Sequence, residues 1–239
     1  MASHIPVTHI PWSNVHQEIA FSRGREFNEE MDIAVPNYLV DRRILKSIEF
    51  TNLAYIEAYV KKCPANVDRY FYLETFTSLS PMACNIVIAN LLGFALLYRS
   101  NEAVKLLLTL GSKPLQPAYF IDWSIVAESG HKVIIHEAPT AILIASSLQR
   151  ESRSVVIELM IIFRDSDLDF QTPVDIRRQQ LERPNASSCN LIRCSDVWEC
   201  LDKEIDKCSE EVQPKFKTFL KELKAVYRIN KLDKLKEIN

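Results

Sequence analysis

Apolar residues recur at every third or fourth position in three stretches of the chain, residues 45–68, 92–114 and 140–169. This spacing is typical of amphipathic helices, because it places the apolar side chains on one helical face. Each stretch contains two such segments, a polar turn between them, and small or polar residues after the second. The three stretches can be superimposed, so they predict a helix–turn–helix unit that occurs three times.

The segments outside these stretches have other patterns. Residues 1–36 contain three prolines, and the residue before a proline prefers extended geometry, so we expect an extended N-terminal arm. Residues 69–89 are rich in aromatic side chains and have Pro81 in the middle, which predicts a helix, a break and a second helix. Residues 115–138 begin near two prolines and end in a β-branched run, which predicts a short hairpin or an extended finger.

Residues 176–239 predict a helical C-terminal cap. Asp196 and Glu199 have the spacing of a capping pair at the start of an amphipathic helix, and Pro214 begins a second helix. The segment from Pro214 onward contains eight basic and three acidic residues. The acidic residues interrupt the positive charge, which favours a solvated face on a helix that covers the open end of the array. Contact with anionic lipid or nucleic acid is the alternative interpretation of this helix.

The middle stretch carries the most specific spacing of small, acidic and apolar residues: Ala95, Glu102, Val104, Leu106, Leu107, Leu108 and Gly111. This pattern resembles the ankyrin repeat. The resemblance implies an all-α protein, a degenerate ankyrin-like helical repeat array over residues 37–175. Residues 1–36 would then be the extended arm and residues 176–239 the helical cap.

The chain also departs from the ankyrin pattern. Thr51 and Arg99 stand where the family has the glycine of a left-handed turn, and no copy keeps the signature histidine. The copies are farther apart than the period of about 33 residues, so inserted connections must separate them. A generic helical array or bundle is the alternative, because helical period alone accounts for part of the similarity.

Composition removes several classes of function. The chain has 239 residues, of which 47% are hydrophobic, and this suits one large domain, alone or with a small appendage. Charged residues make up 25% of the chain and its net charge is -2, so we expect no globally basic surface that would bind nucleic acid. Its four glycines, Gly24, Gly93, Gly111 and Gly130, are isolated from one another. Phosphate-cradling loops need clustered glycines, so we expect no nucleotide and no other cofactor.

The location in the cell follows from segments that are missing. The longest apolar stretch, residues 86–98, is interrupted by Asn90 and is shorter than the roughly 18 residues of a membrane span. The first residues lack the basic and apolar segments of a signal peptide. We therefore expect a cytoplasmic protein whose six cysteines are reduced.

Zinc binding and thiol catalysis are the two alternatives to buried packing of the cysteines. Cys189, Cys194, Cys200 and Cys208 are spaced too widely for a typical zinc site, so we expect no metal. Thiol catalysis needs an imidazole that an acid orients, and the candidates are Cys84 or Cys63 with His131 or His136 and Asp122. A cysteine-dependent transferase or hydrolase is therefore the alternative function.

The main functional hypothesis comes from the resemblance. Ankyrin-like arrays bind partner proteins through the connections between their units, so a protein–protein interaction module is expected. A stand-alone divergent array also looks like the ankyrin effectors that intracellular bacteria deliver into the host cytosol. The residues predicted to contact the partner are Arg69, Tyr72, Lys113, Gln116, Tyr119, Asp122 and Trp123.

Overall fold

A seven-stranded sheet runs beside helical hairpins in the computed structural model of the chain. The structure describes residues 7–10, 33–76, 83–126, 130–140, 169–182 and 186–206, and, near the C-terminus, 210, 213–214, 217–218, 220–222, 224–225 and 227. The third helical stretch of the sequence, apart from its first and last residues, lies outside these ranges.

Two helical hairpins form at the first two stretches. The first consists of α1 (Arg42–Glu49) and α2 (Leu53–Lys62), and the second of α3 (Leu91–Leu97) and α4 (Asn101–Thr109). α1 packs against α3 and α2 against α4, so the hairpins are stacked side by side. The periodicity of the sequence therefore predicted both hairpins correctly.

The turns inside the two hairpins have the same left-handed geometry. Thr51 has φ 54° and Arg99 has φ 59°, at the two positions where the ankyrin pattern has glycine. In both turns the amides of the left-handed residue and of the residue after it donate to carbonyls of the last helical turn, which satisfies groups that a helix end leaves unpaired. Thr51 Oγ1 lies 2.9 Å from Ser100 Oγ, so a hydrogen bond joins the two turns.

The sheet is built mainly from three β-hairpins. They are β4 (Tyr70–Phe76) with β5 (Ala83–Ala89), β6 (Pro117–Val126) with β7 (Gly130–Pro139), and β8 (Val174–Glu182) with β9 (Ala186–Cys194). These six strands follow one another in antiparallel order, and β3 (Tyr38–Leu39) adds to β4 in parallel. β1 (Val7–Ile10) and β2 (Ile33–Pro36) form a separate antiparallel pair.

One face of the sheet packs on the helices at one end of its strands. Register places alternate residues of neighbouring strands in rows on the same face. At the ends of these rows that lie next to the helices, the residues are buried in the main core: Phe71, Val87, Ala89, Ala118, Ala138, Val174, Ile176 and Cys194. The opposite face of the central strands is also buried, at Ile86, Ile88, Ile121 and Ile135.

A fifth helix, α5 (Val197–Ile205), covers the end of β8 and β9. Trp198 stacks on Phe170 with ring centroids 4.6 Å apart, and Tyr227 meets both rings edge-on. Tyr227 belongs to the described helical residues between 213 and 227. The C-terminal helical segment is therefore held to the body by an aromatic cluster.

The predicted capping pair of α5 is confirmed, and it creates a charged network. Asp196 Oδ1 accepts a hydrogen bond from the Glu199 amide at 2.7 Å, and Glu199 Oε2 accepts from the Ser195 amide at 2.6 Å. Lys203 Nζ lies 2.8 Å from Glu199 Oε1. The hydrogen bond from Lys203, followed by those from Ser195, lowers the pKa of Glu199 from 4.5 to about 2.

The all-α fold class is wrong, and so is the description of the chain as a helical repeat. Residues 69–89, predicted as two helices, contain β4 and β5, and the predicted helical cap begins inside β8. Aromatic and β-branched residues favour strands, and pairing into one sheet satisfies their backbone groups. The hairpin predicted over residues 115–138 is confirmed by β6 and β7.

A glycine substitution tests the turn after α4. Gly111 has φ +90°, and a Cβ placed there would meet no atom within 4 Å. Gly111→Ala should therefore lower the free energy of unfolding by about 1–2 kcal/mol through backbone strain alone. Gly111→Asn should cost less, because asparagine tolerates a left-handed backbone. Urea unfolding of the three proteins checks this, and equal stabilities would contradict the turn geometry.

A second prediction concerns the folding stability at acidic pH. Because the folded pKa of Glu199 is depressed to about 2, its stabilisation is present above pH 4.5 and is lost as the pH falls from 4.5 towards 2. Glu199→Gln should lower the urea midpoint at pH 6 and should match the wild type near pH 2. Glu102→Gln, an exposed control in the first turn of α4, should show no such convergence. A pH-independent gap for Glu199→Gln would contradict the network.

Candidate functional site

Two of the predicted contact residues, Lys113 and Gln116, belong to a polar junction between the helices and the sheet. The fully buried Asn90 caps α3 by accepting from the Gly93 amide at 2.9 Å. Its Nδ2 donates to the Lys113 carbonyl at 3.3 Å and to Gln116 Oε1 at 3.4 Å. We call Asn90, Asp68, Lys113, Gln116 and Thr140 the junction.

The rest of the junction ties neighbouring units together. Gln116 Nε2 donates to the Asp68 carbonyl at 2.7 Å, and the Gln116 carbonyl accepts from both the amide and the hydroxyl of Thr140 at 2.8 Å. The Lys113 amide donates to Asp68 Oδ1 at 2.9 Å, and its Nζ lies 3.5 Å from Asp68 Oδ2. The polar groups of Gln116 are thus used inside the protein, and Lys113 is anchored through its backbone.

The predicted aromatic contacts lie half-buried on the sheet face opposite the helices. Tyr72 stacks on Tyr38 with ring centroids 5.1 Å apart, and Tyr119 meets Tyr70 edge-on at 6.0 Å. Burial, more than the negative charge of Glu137, raises the pKa of the Tyr119 hydroxyl. Tyr119 is therefore packed and neutral at physiological pH, and Tyr72 is packed against Tyr38.

The other three predicted residues are placed differently. Arg69 is exposed beside the junction, and Asp122 lies on the helix-side face of the sheet, opposite to the face of Tyr119. The Trp123 backbone pairs with Cys84 and Val133, and its side chain lies outside the described residues. The seven predicted residues therefore do not form one surface.

A different surface forms where the helix-side face of the sheet extends beyond the helices. On four neighbouring strands, a surface of mixed polar and apolar residues follows the buried core. One row runs through Phe120, His136, Arg178 and Asn190, and the next through Asp122, Ile134, Gln180 and Ser188. We call these eight residues the hairpin face. Each is exposed or half-buried, which distinguishes them from the buried residues nearer the helices.

The charges of the hairpin face are grouped in its centre. Partial burial raises the pKa of the Asp122 carboxyl, although part of its side chain is exposed, and the positive charges of His136 and Arg178 oppose this rise. Arg178 is exposed and makes no hydrogen bond or salt bridge within the described part of the chain. Within that part of the chain its guanidinium therefore has free donors, on the strand next to His136 and Ile134 and two strands away from Phe120.

Sequence reasoning named Asp122 and His136 for other reasons and missed Arg178. Asp122 was predicted as a contact on a finger, and His136 as a candidate base. The missed signal is the alternation in β8, where Val174, Ile176, Arg178 and Gln180 share one face. It becomes readable only when residues 174–182 are recognised as a strand.

The structure brings together part of the proposed thiol chemistry. Asp122 and His136 interact electrostatically, as acid and imidazole must in such a site. Cys63 is exposed at the end of α2 and makes no hydrogen bond to any described histidine. Cys84 pairs through its backbone with Trp123, and its side chain lies outside the described residues.

The described residues contain neither a metal site nor a membrane-spanning helix. Among the described residues, no group of three His, Cys, Asp or Glu side chains is arranged to hold a metal ion. Cys194 and Cys200 are buried, and Cys189 is exposed. Across the described helices, none is long and apolar enough to cross a membrane.

Comparisons with protein-family models, with curated proteins and with solved structures find no match to this chain. The functional argument therefore depends on the geometry of its own residues.

Removal of the buried amide tests the junction. Asn90→Ala should lower the free energy of unfolding by about 2–3 kcal/mol, because it removes a helix cap and leaves buried polar groups unpaired. The matched control is Asn52→Ala, an exposed cap of α2 that accepts only from the Tyr55 amide, with an expected loss of about 1 kcal/mol. Equal losses in urea unfolding would show that the junction adds nothing beyond the cap.

Proposed function

We propose that this protein binds a partner protein through the hairpin face. One observation carries the proposal: Arg178, which makes no hydrogen bond or salt bridge to any described residue, lies in an exposed surface that also contains half-buried apolar groups. Arginine and aromatic residues are enriched where binding energy is concentrated in protein interfaces. β6 and β7, which form one of the predicted inter-unit connections, provide four of the eight residues, and β8 and β9 provide the other four.

The charge of the hairpin face indicates the polarity of the partner. Arg178 makes no hydrogen bond or salt bridge to a described residue, so among those residues it is the charged group of the hairpin face with unused hydrogen-bonding capacity. A carboxylate of the partner would bind that guanidinium in a bidentate manner. Apolar side chains of the partner would cover Phe120 and Ile134.

The ankyrin resemblance is part of this proposal and applies to the two helical hairpins. Their stacking and their left-handed turns at Thr51 and Arg99 support it. A cytoplasmic location, or a host cytosol if the chain is a delivered effector, is proposed with it. No cofactor is invoked, because the proposed interaction needs only side-chain contacts.

Charge reversal with a matched control tests the proposal. Arg178→Glu should reduce partner binding at least about 30-fold, the effect of losing an interface residue worth about 2 kcal/mol. Arg42→Glu, which reverses an equally exposed arginine on α1, should leave binding unchanged. Affinity capture from host-cell lysate, quantified by mass spectrometry, identifies proteins retained by wild type and Arg42→Glu and lost with Arg178→Glu.

The capture experiment also has an outcome that contradicts the proposal. An identical set of retained proteins for Arg178→Glu and wild type would remove the hairpin face as the binding surface. Circular dichroism of both variants ensures that a loss reflects the surface, not the fold.

The cysteine-dependent enzyme remains a second candidate because Asp122 and His136 interact. It requires a nucleophilic thiol, so alkylation rates measured from pH 5 to 9 should reveal a cysteine that reacts fast below pH 7. Asp122→Asn should slow that reaction if the carboxylate orients the imidazole. Uniformly slow thiols in the folded protein would eliminate this candidate.

A further inference from the structure

The last strand of the sheet, β9, is an open edge. Within the described residues it pairs with β8 on one side and with no strand on the other. Ser188 and Asn190 are exposed on the helix-side face, and Cys189 and Leu191 are exposed on the opposite face. The middle of β9 is therefore accessible from both faces and from its outer side.

One hydrogen bond shows which backbone groups of β9 point outward. The Arg193 carbonyl accepts from Lys203 Nζ at 3.2 Å, so it lies on the outer side of the strand and not in the ladder with β8. In an antiparallel strand the amide and carbonyl of one residue point to the same side, and the side alternates. Leu191 and Cys189 therefore direct their backbone groups outward, as Arg193 does.

The edge carries few of the features that normally prevent strand pairing. Its sequence, ASSCNLIRC, contains no proline, no lysine and a single charged residue, Arg193. Natural proteins usually protect such edges with lysines, prolines, bulges or covering segments. Here Lys203 occupies one outward carbonyl at the C-terminal end, and the outward groups of Cys189 and Leu191 have no partner in the described chain.

The two faces of the edge have different chemistry. On the helix-side face, Asn190 is paired in register with Arg178, whose guanidinium has no hydrogen bond or salt bridge to a described residue. On the opposite face, Leu191 has 41% of its surface exposed and is paired in register with Arg177, whose guanidinium already forms a salt bridge with Glu137 at 3.5 Å. An added strand would place successive side chains alternately beside the arginine and beside the leucine.

We propose that the partner contributes an extended segment of alternating acidic and apolar residues, which adds to the sheet as a strand beside β9. This inference rests on the proposed function and names the part of the partner that is recognised. Outward backbone groups of Cys189 and Leu191 bind its main chain. Its acidic side chains face Arg178, and its apolar side chains cover Leu191.

The distances of a β-sheet allow this contact. Strands lie about 4.8 Å apart, so a side chain opposite Asn190 starts roughly 10 Å from the backbone of Arg178. A glutamate and an arginine that extend towards each other span that separation. The contact is also continuous with the hairpin face, to which Asn190 and Ser188 belong.

A defined peptide tests strand addition directly. The probe is a fluorescein-labelled peptide of nine residues, the length of β9, with alternating glutamate and valine. Fluorescence anisotropy with the full chain should show saturable binding. A peptide with lysine in place of glutamate should bind at least about tenfold more weakly, because it meets Arg178 with like charge. A peptide methylated on its main-chain nitrogens should not bind, since it cannot donate.

Equal affinity for the three peptides, or no binding of the first, would overturn strand addition. Arg178→Glu should invert the preference, so that the lysine peptide binds more tightly than the glutamate peptide. An unchanged preference in Arg178→Glu would also overturn the proposal.

A pair of substitutions at one position separates the backbone from the side chain. Leu191→Ala removes the apolar contact and keeps the outward amide, so the glutamate peptide should bind about threefold more weakly. Leu191→Pro also removes the outward amide, which the ladder with β8 does not use, and binding should be abolished. Equal affinities of the two variants, with circular dichroism like that of the wild type, would exclude main-chain pairing.

Light scattering and lysate capture with the same variants distinguish strand addition from dimer formation and from partner binding by the hairpin face alone. A wild-type dimer in light scattering that Leu191→Pro dissociates, with no peptide binding, would assign the edge to a second copy and overturn the proposal. If lysate capture is lost in Arg178→Glu and retained in Leu191→Pro, the hairpin face binds the partner without strand addition. If both variants lose the same captured protein, strand addition is supported.

Discussion

The buried amide of Asn90 is the contact on which the arrangement of helices and strands depends. It follows the last residue of β5, caps the first turn of α3, and binds the segment at residues 113–116 that leads into β6. A strand that turns directly into a helix leaves backbone donors unpaired, and burial makes them costly. By pairing the Gly93 amide and the Lys113 carbonyl with one side chain, Asn90 lets the chain change from one periodicity to the other inside the core.

Gln116 extends the same solution to the next unit. Its side chain reaches back to the Asp68 carbonyl, and its own carbonyl binds Thr140, at the end of β7. These hydrogen bonds hold the segment before β6 against the start of β4 and the end of β7, because buried donors and acceptors have few alternative partners. The junction therefore joins the first two β-hairpins at the helix-side end of the sheet.

The helical hairpins were predictable because each buries one stripe of its surface. Ile44, Ile48, Ala103 and Leu107 repeat at helical spacing and are buried, as the period requires. β5 was not predictable in this way, because Ile86 and Ile88 are buried on one face and Val87 and Ala89 on the other. A strand that is covered on both faces shows an apolar run without alternation, which cannot be distinguished from a buried helix by period.

The hairpin face could not be predicted because its residues become neighbours only through register. Asp122 and His136 come from one hairpin, whereas Arg178 and Asn190 come from another that is far away in sequence. The polar residues that were predicted as contacts, Lys113 and Gln116, have the composition of an exposed loop but serve the junction. Composition records that a residue is polar, and only the fold decides whether its partner is inside or outside the protein.

The division of the sheet into two zones explains why the outer zone is available for binding. Helices cover one face at the helix-side end, where Ala118, Ala138 and Ile176 are buried, so this end provides the stability. Beyond them the same strands continue with polar residues, and α5 reaches β9 only near Arg193 through Lys203. Surface residues away from a core contribute little to folding free energy. The chain can therefore vary the hairpin face and the edge of β9, which pairs with no other described strand, for recognition while the junction holds the first two β-hairpins together.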